Sequence, residues 1–276
     1  MYGDAYFMTS STGGNDTISG GDDCSLSTIC GDALTMSNSI GGNDAITGGS
    51  NTGSLVYGDA TNMYNSAGGS DSIIGGSNGY NEIYGDGLYV ESSTCGNDYI
   101  VGGADSTNLI YGDSSYNSGT QCGNDTVAGG VGGVNFLYGD SRTAVTGSRA
   151  GDDRLISAAN TIDEMWGDWQ YSDGTAIQGH NVFVFGPNNG NDIIHDFHPG
   201  EDKIEFDGLY VDKVPEKALA RIPVQAAAHL PTRLAMLSEL SIEVSGGNSI
   251  IHVDANNSIT VEGVISLSAS DFKFIA

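Results

Sequence analysis

The apolar residues of this chain come in very short beats, and the beats repeat. One follows an Asp, at Ile18, Ile46, Ile73, Ile100, Val127 and, slightly shifted, Ile156. The other precedes a Gly-Asp step, at Ile29, Val56, Ile83, Ile110, Leu137 and Met165. A shorter step alternates with a longer one, as from Ile18 to Ile29 and from Ile29 to Ile46, and neither sustains a helical stripe. β-Branched residues dominate and glycines bracket each beat, which predicts very short strands joined by turns.

The polar positions keep the same period. The glycines of the Gly-Asp steps stand at 3, 31, 58, 85, 112, 139 and 167, at intervals of 27 or 28. Their aspartates are Asp4, Asp32, Asp59, Asp86, Asp113, Asp140 and Asp168. A second column, Asp16, Asp44, Asp71, Asp98, Asp125 and Asp153, runs in the same register, as do double glycines starting at Gly20, Gly48, Gly75, Gly102 and Gly129. Each coil thus reads as two short strands, one tight turn and one long turn. One coil alone has too little core to fold, whereas stacked coils line up Ile and Val into a continuous interior. The predicted fold is all-β: a right-handed parallel β-roll or β-solenoid over residues 1–175, with strands ~4.8 Å apart. The glycines are assigned to turns of positive φ and to close approach between coils.

Charge sharpens this picture. The net charge is −26, from 26 Asp and 9 Glu against nine Lys and Arg, and no basic residue precedes Arg142. Such a surface repels nucleic acid and anionic membranes and suits cations. No stretch reaches the ~18 apolar residues of a membrane span. The opening Met1-Tyr2-Gly3-Asp4 lacks the basic start and apolar run of a signal peptide, and none is expected there. The four cysteines match no zinc spacing.

Stacking sets equivalent aspartates on one another. Two carboxylates ~5 Å apart repel by roughly 3 kcal/mol at an effective dielectric of 20. Either the side chains splay into water or a cation sits between them. Carboxylates beside the carbonyls of glycine-rich turns are calcium chemistry, whereas zinc prefers His and Cys.

The segments GGNDTISGG (Gly13 to Gly21), GGNDAITGG (Gly41 to Gly49) and CGNDTVAGG (Cys122 to Gly130) resemble the RTX, or hemolysin-type, calcium-binding nonapeptide. That family forms a parallel β-roll with calcium in the turns between coils. Gly14, Asn15, Asp16 and Ile18 match its fourth, fifth, sixth and eighth positions, as do Gly42 to Ile46, Gly69 to Ile73, Gly96 to Ile100 and Gly123 to Val127. The resemblance implies side-chain calcium ligands at Asp16, Asp44, Asp71, Asp98 and Asp125, with Asp153 continuing the column. Gly14, Gly42, Gly69, Gly96 and Gly123 join the implied sites, and the aspartates of the Gly-Asp column are further candidates.

The chain departs from the family in three ways. Its coil is half as long again as the family's pair of nonapeptides, and the excess lies between the Gly-Asp step and the next Asp of the second column. That long turn either alters the site or loops out and leaves it intact. The first two motif positions are not glycine. The other turn has lost its Asp, reading Ser27, Ser54, Asn81, Asn108 and Asn135. Calcium is therefore expected mainly along the edge of Asp16 to Asp153.

Other columns carry less chemistry. Tyr57, Tyr84, Tyr111 and Tyr138, flanked by Tyr2 and Trp166, form either a stacking face for a partner or a ladder covered by the long turn and its Met36, Met63, Tyr64, Tyr89, Tyr116 and Val145. Cys95 and Cys122 stack in adjacent coils, as a strained disulfide or as free thiols filling glycine-sized gaps. His195 and His198 are assigned to a turn. No nucleophile elbow, HExxH, P-loop or paired-Glu motif is present, and a non-enzymatic role is expected.

Residues 176–276 are expected to close the roll. The stretch from His180 to Leu209 is similar to the closing segment of RTX domains, which makes Asp192, Asp196 and Asp202 further candidate calcium ligands. Ala- and Leu-rich spacing over 215–240 predicts one or two short helices. The final strands resemble the uncleaved C-terminal signal of proteins exported by type I (ABC transporter) secretion machinery. The resemblance implies a secreted, extracellular or cell-surface module that folds on calcium outside the cell, attached to an upstream catalytic or adhesive domain. The alternative is a structural or adhesive surface-layer or matrix protein whose solenoid is itself the functional surface.

Overall fold

The computed structural model describes residues 1–208 and 240–275, together with the antiparallel pairing of Tyr210–Val211 with Arg233–Leu234. Apart from those two strands, the helices expected over 215–240 fall outside the described residues. The chain is a parallel β-solenoid whose coils keep the period of the sequence. Ile83 pairs with Ile110 and Ile100 with Val127, one coil apart. No helix among the described residues is long and apolar enough to cross a membrane.

Each coil has three strands, not two. In one coil they are Tyr80–Tyr84, Gly87–Glu91 and Tyr99–Val101. Stacking gives parallel sheets of seven, nine and ten strands, the last ending in three antiparallel strands. The long turn therefore neither loops out nor stays irregular; it contributes the seven-stranded sheet. Its inward rungs are Met36, Met63, Val90, Asn117 and Ala144. Rungs that change in size and polarity give no steady alternation, so the sequence hid this strand.

Among the described residues the interior holds two mainly aliphatic cores beside a buried aromatic one. The larger stacks Ile29, Val56, Ile83, Ile110 and Leu137 against Ile46, Ile73, Ile100 and Val127. The smaller, under the third sheet, contains Met8, Ala33, Met36, Ala60, Met63 and Val90. In the coil after Val127 the inward residue is Leu155, which pairs with Val127, and Ile156 pairs with Ala128. The shifted beat thus sits one residue earlier than expected.

The tyrosine column is a buried ladder. Tyr57, Tyr84, Tyr111, Tyr138, Trp166 and His195 stack with ring centroids 4.0–5.2 Å apart and planes within 22°. Its cover differs from the expected one. Leu55, Leu88, Leu109 and Phe136 pack on it, whereas Met36 and Met63 turn into the smaller core and Tyr64, Tyr89 and Tyr116 are exposed.

Positive φ falls mainly on residues other than the repeated glycines. Ser10, Asn38, Asn65 and Ser92 form one left-handed column, and Asp23, Asn51, Asn78 and Asp105 another. Short polar side chains tolerate this region. The glycines of the Gly-Asp and Gly-Asn-Asp steps serve close approach instead.

At the C-terminal end two sheets continue through Val182–Phe185, Asn191–Ile194 and Lys203–Asp207. Phe272–Ile275 then pairs in parallel with Lys203–Asp207. Glu205 is fully buried and binds both Arg154 and, at 2.7 Å, Lys273, so the last strand is tied to the stack by charge as well as by its ladder. These bonds hold the Glu205 carboxyl below its ordinary value despite the opposing effect of burial.

Candidate site: two facing aspartate columns

The third sheet is an excursion whose two ends return to the same place. Gly85-Asp86 opens it and Gly96-Asn97-Asp98 closes it. The Gly96 N–H donates to Asp86 Oδ1 at 2.9 Å, and the equivalent bond recurs from Gly42 to Asp32, Gly69 to Asp59, Gly123 to Asp113 and Gly151 to Asp140. The two columns, separated in the chain by a whole strand, are therefore neighbours.

Both columns are interior. Asp32, Asp59, Asp86, Asp113 and Asp140 are 0% exposed, and Asp44, Asp71, Asp98, Asp125 and Asp153 no more than 3%. From Asp44 to Asp153 each aspartate of the second column accepts from the backbone of the coil before it, as when the Asp71 N–H donates to Asp98 Oδ1 at 2.7 Å. The other oxygen is left alone. Oδ2 has no partner on Asp16, Asp44, Asp71, Asp98, Asp125 and Asp153, nor on Asp86, Asp113, Asp140 and Asp168. Buried carboxylate oxygens without a donor are costly.

Glycine makes this packing possible. A Cβ at Gly85 would lie 1.7 Å from the Gly112 carbonyl oxygen and 2.0 Å from Asp98 Oδ2, so carboxylate and carbonyl from different coils converge on one point. A Cβ at Gly96 would lie 1.5 Å from the Gly69 carbonyl oxygen, and Gly42, Gly69 and Gly123 repeat the contact. The carbonyls of Gly14, Gly42, Gly69 and Gly96 thus run as a column beside the carboxylates.

Burial and mutual repulsion raise these carboxyls. Desolvation, the larger cause, puts Asp44 at about 6, Asp32 at about 7 and Asp71 at about 8, and Asp59, Asp86, Asp98, Asp125, Asp140 and Asp153 also stand well above their ordinary value. Ionising Asp71 then costs on the order of 5 kcal/mol more than in water. The columns need protons or cations. An orphaned carboxylate oxygen on nearly every rung, carbonyls alongside and no room for a side chain fit a hard, oxygen-liganded divalent cation.

The remaining candidates divide. Asp4 and Asp16 sit on the outermost coil, Asp4 exposed and bonded to the Gly14 N–H at 2.7 Å. Asp196 ends the Gly-Asp column, accepting from the Gly167 and Asp168 N–H groups. Asn181 takes the next rung of the second column, where its amide donates to Asp168 Oδ1 at 3.0 Å, and Asp202 follows by accepting from the Asn181 N–H. Asp192 is not brought to these columns. It closes the ladder of Asn81, Asn108, Asn135 and Asp163, and its oxygens are occupied by Ser157, Asn189 and the Asp163 N–H. In that third column the Asn side chains bond both one another and the backbone of their own turn, at Gly76, Gly103 and Gly130.

Two residues at the columns were not among the candidates. Cys95 and Cys122 place sulfur within 4.8 Å of Asp86 and Asp113, and of Asp113 and Asp140 respectively. Their register was the available signal, since they occupy the position of Gly13, Gly41 and Gly68.

The fold and these columns define the class: a β-solenoid repeat protein with an acidic interior seam. Comparison with family models and with curated proteins finds no match.

Proposed function

We propose that the chain is a calcium-binding module of RTX type, which folds on binding calcium after type I secretion and serves as the folding, export and stabilising part of a larger extracellular protein. The observation that carries this reading is the pair of facing, fully buried aspartate columns with unpartnered Oδ2 atoms. Asp32 to Asp140, Asp44 to Asp153 and the carbonyls of the Gly-Asn-Asp glycines would hold the ions, and calcium would supply the positive charge that the seam lacks. Binding confined to the folded state stabilises it by mass action. At low calcium the carboxylates repel and the coils stay apart; outside the cell the same residues close the stack. The role is architectural, not catalytic.

The test is a calcium titration of metal-stripped protein followed by far-UV circular dichroism, with magnesium as control. A cooperative, calcium-specific gain of β-structure is expected. Asp98→Asn, which copies Asn181 of a later rung, should keep more structure without calcium and gain less from it. Full β-structure in chelator, unaltered by calcium, would sink the reading.

A second reading, a surface or matrix protein, draws on the groove lined by Tyr80, Leu109, Tyr111, Phe136, Tyr138 and Arg142. It would lead if the solenoid proved metal-independent.

A further inference from the structure

In three coils the position before Gly-Asn-Asp or its equivalent is glycine, and its missing Cβ points into the Gly-Asp column. A Cβ at Gly41 would lie 1.7 Å from Asp59 Oδ1 and 2.8 Å from Asp32 Oδ2, and one at Gly68 would lie 1.7 Å from Asp86 Oδ1 and 2.6 Å from Asp59 Oδ2. Any side chain here enters the gap between successive carboxylates. The next two coils place cysteine at this position. Sulfur, Asp86 and Asp113 gather around Cys95, and sulfur, Asp113 and Asp140 around Cys122, each trio within 4.8 Å. The three aspartates are 0% exposed, and each keeps an Oδ2 without a partner.

A second observation points the same way. The inward column of the third sheet is Met36, Met63 and Val90 in the earlier coils and Ala144 in a later one, yet Asn117 takes this rung in the coil that contains Cys122. The Asn117 amide donates to Cys122 Sγ at 3.1 Å and is itself held by the Ser114 hydroxyl, which donates to Asn117 Oδ1 at 2.7 Å. A donor chain aimed at sulfur, from a rung whose neighbours Val90 and Ala144 are apolar, is the outer-sphere support that orients a thiolate ligand.

We propose that Cys95 and Cys122, with Asp86, Asp113 and Asp140, form a pair of adjoining thiolate–carboxylate sites for a thiophilic divalent cation of the zinc class, set within the oxygen-only seam. Thiolate and carboxylate together suit zinc, whereas calcium takes oxygen alone. Each thiol releases its proton to solvent as the sulfur–metal bond forms. Asp113 belongs to both trios and bridges them. Asn117 is a positioning residue.

The test uses the reduced, metal-stripped full chain in saturating calcium, titrated with cadmium while thiolate-to-metal charge-transfer absorbance is read. A saturable band that zinc abolishes is expected. Cys95→Gly/Cys122→Gly restores the residue of the neighbouring coils and leaves Cys24 and Cys30 in place. It should lose the band and bind zinc at least about tenfold more weakly, while the calcium-driven dichroism change persists. Asn117→Val should keep the band but weaken zinc binding. No band in the parent chain, an unchanged band in the double glycine variant, or a Cys95–Cys122 disulfide that resists mild reductant would overturn the proposal. The trios form only in the folded stack, so the dichroism reports whether calcium is what folds it, and the band reports the sulfur sites once it is folded.

Discussion

At the scale of single residues, the repeated glycines and aspartates form one device. Gly85 leaves room for the Gly112 carbonyl and for Asp98 Oδ2, and neither a backbone carbonyl nor a buried carboxylate can retreat. Gly85→Ala should therefore destabilise the calcium-loaded protein by at least about 2 kcal/mol. Gly21 is exposed, has an ordinary φ and would place a Cβ in open space. Gly21→Ala should change stability by no more than about 0.5 kcal/mol. Thermal melts of both variants against the parent check the pair, and equal effects would mean that inter-coil contact is not why glycine repeats. The column of Gly-Asp and Gly-Asn-Asp steps was legible as a period. The burial of its carboxylates was not, because an Asp in a glycine-rich turn is most often solvated.

Among the elements, the third strand of each coil explains how so long a repeat keeps both aspartate columns together. It folds as a sheet over its own small core and returns the chain beside Asp86. Leu88 of this strand and Leu55, Leu109 and Phe136 of the ten-stranded sheet pack on the aromatic ladder. Tyr84 is 1% exposed and stacks on Tyr57 and Tyr111, whereas Tyr89, one strand later, is 51% exposed. Tyr84→Ala should cost about 3–5 kcal/mol by leaving a cavity within the stack. Tyr89→Ala should stay within about 0.5 kcal/mol. Chemical denaturation of the two variants separates a ladder that carries stability from an exposed row that does not. Isoleucine and tyrosine columns announced two strands per coil. The third went unseen because its inward rungs pass from Met through Val and Asn to Ala, and packing rather than pattern holds it.

For the whole molecule, the interior seam sets the response to pH. Asp44, Asp32 and Asp71 stand at about 6, 7 and 8 in the folded state, against an ordinary value of 3.8. The folded chain then binds more protons than the unfolded chain between pH ~4 and ~8, and stability falls as pH rises through that window. Metal-free protein should hold more β-structure at pH 5 than at pH 8, where the ionised columns keep the coils apart. Saturating calcium should reverse the order, since deprotonated columns bind it better. Glu205 and Asp271, whose carboxyls are held low, act oppositely and withdraw stability only in stronger acid. Far-UV circular dichroism of metal-stripped protein and melts of calcium-loaded protein across pH check this. Metal-free β-structure that grows from pH 5 to pH 8 would mean that the seam is open to water.

Stacking is already written into the order of the residues. A strict period aligns like with like, and only a solenoid gives every coil the same neighbours. The same order dictates which residues form the columns, and that cations suit them. Which columns meet is settled only in three dimensions. The chain distance from Asp86 to Asp98 says nothing of their adjacency until the third strand doubles back. Folding likewise separates Asp192, absorbed by the asparagine ladder, from the seam, and brings Cys95 and Cys122 into it. The physical reason is that a period records which residues are equivalent between coils, whereas contacts across a coil depend on where each turn closes.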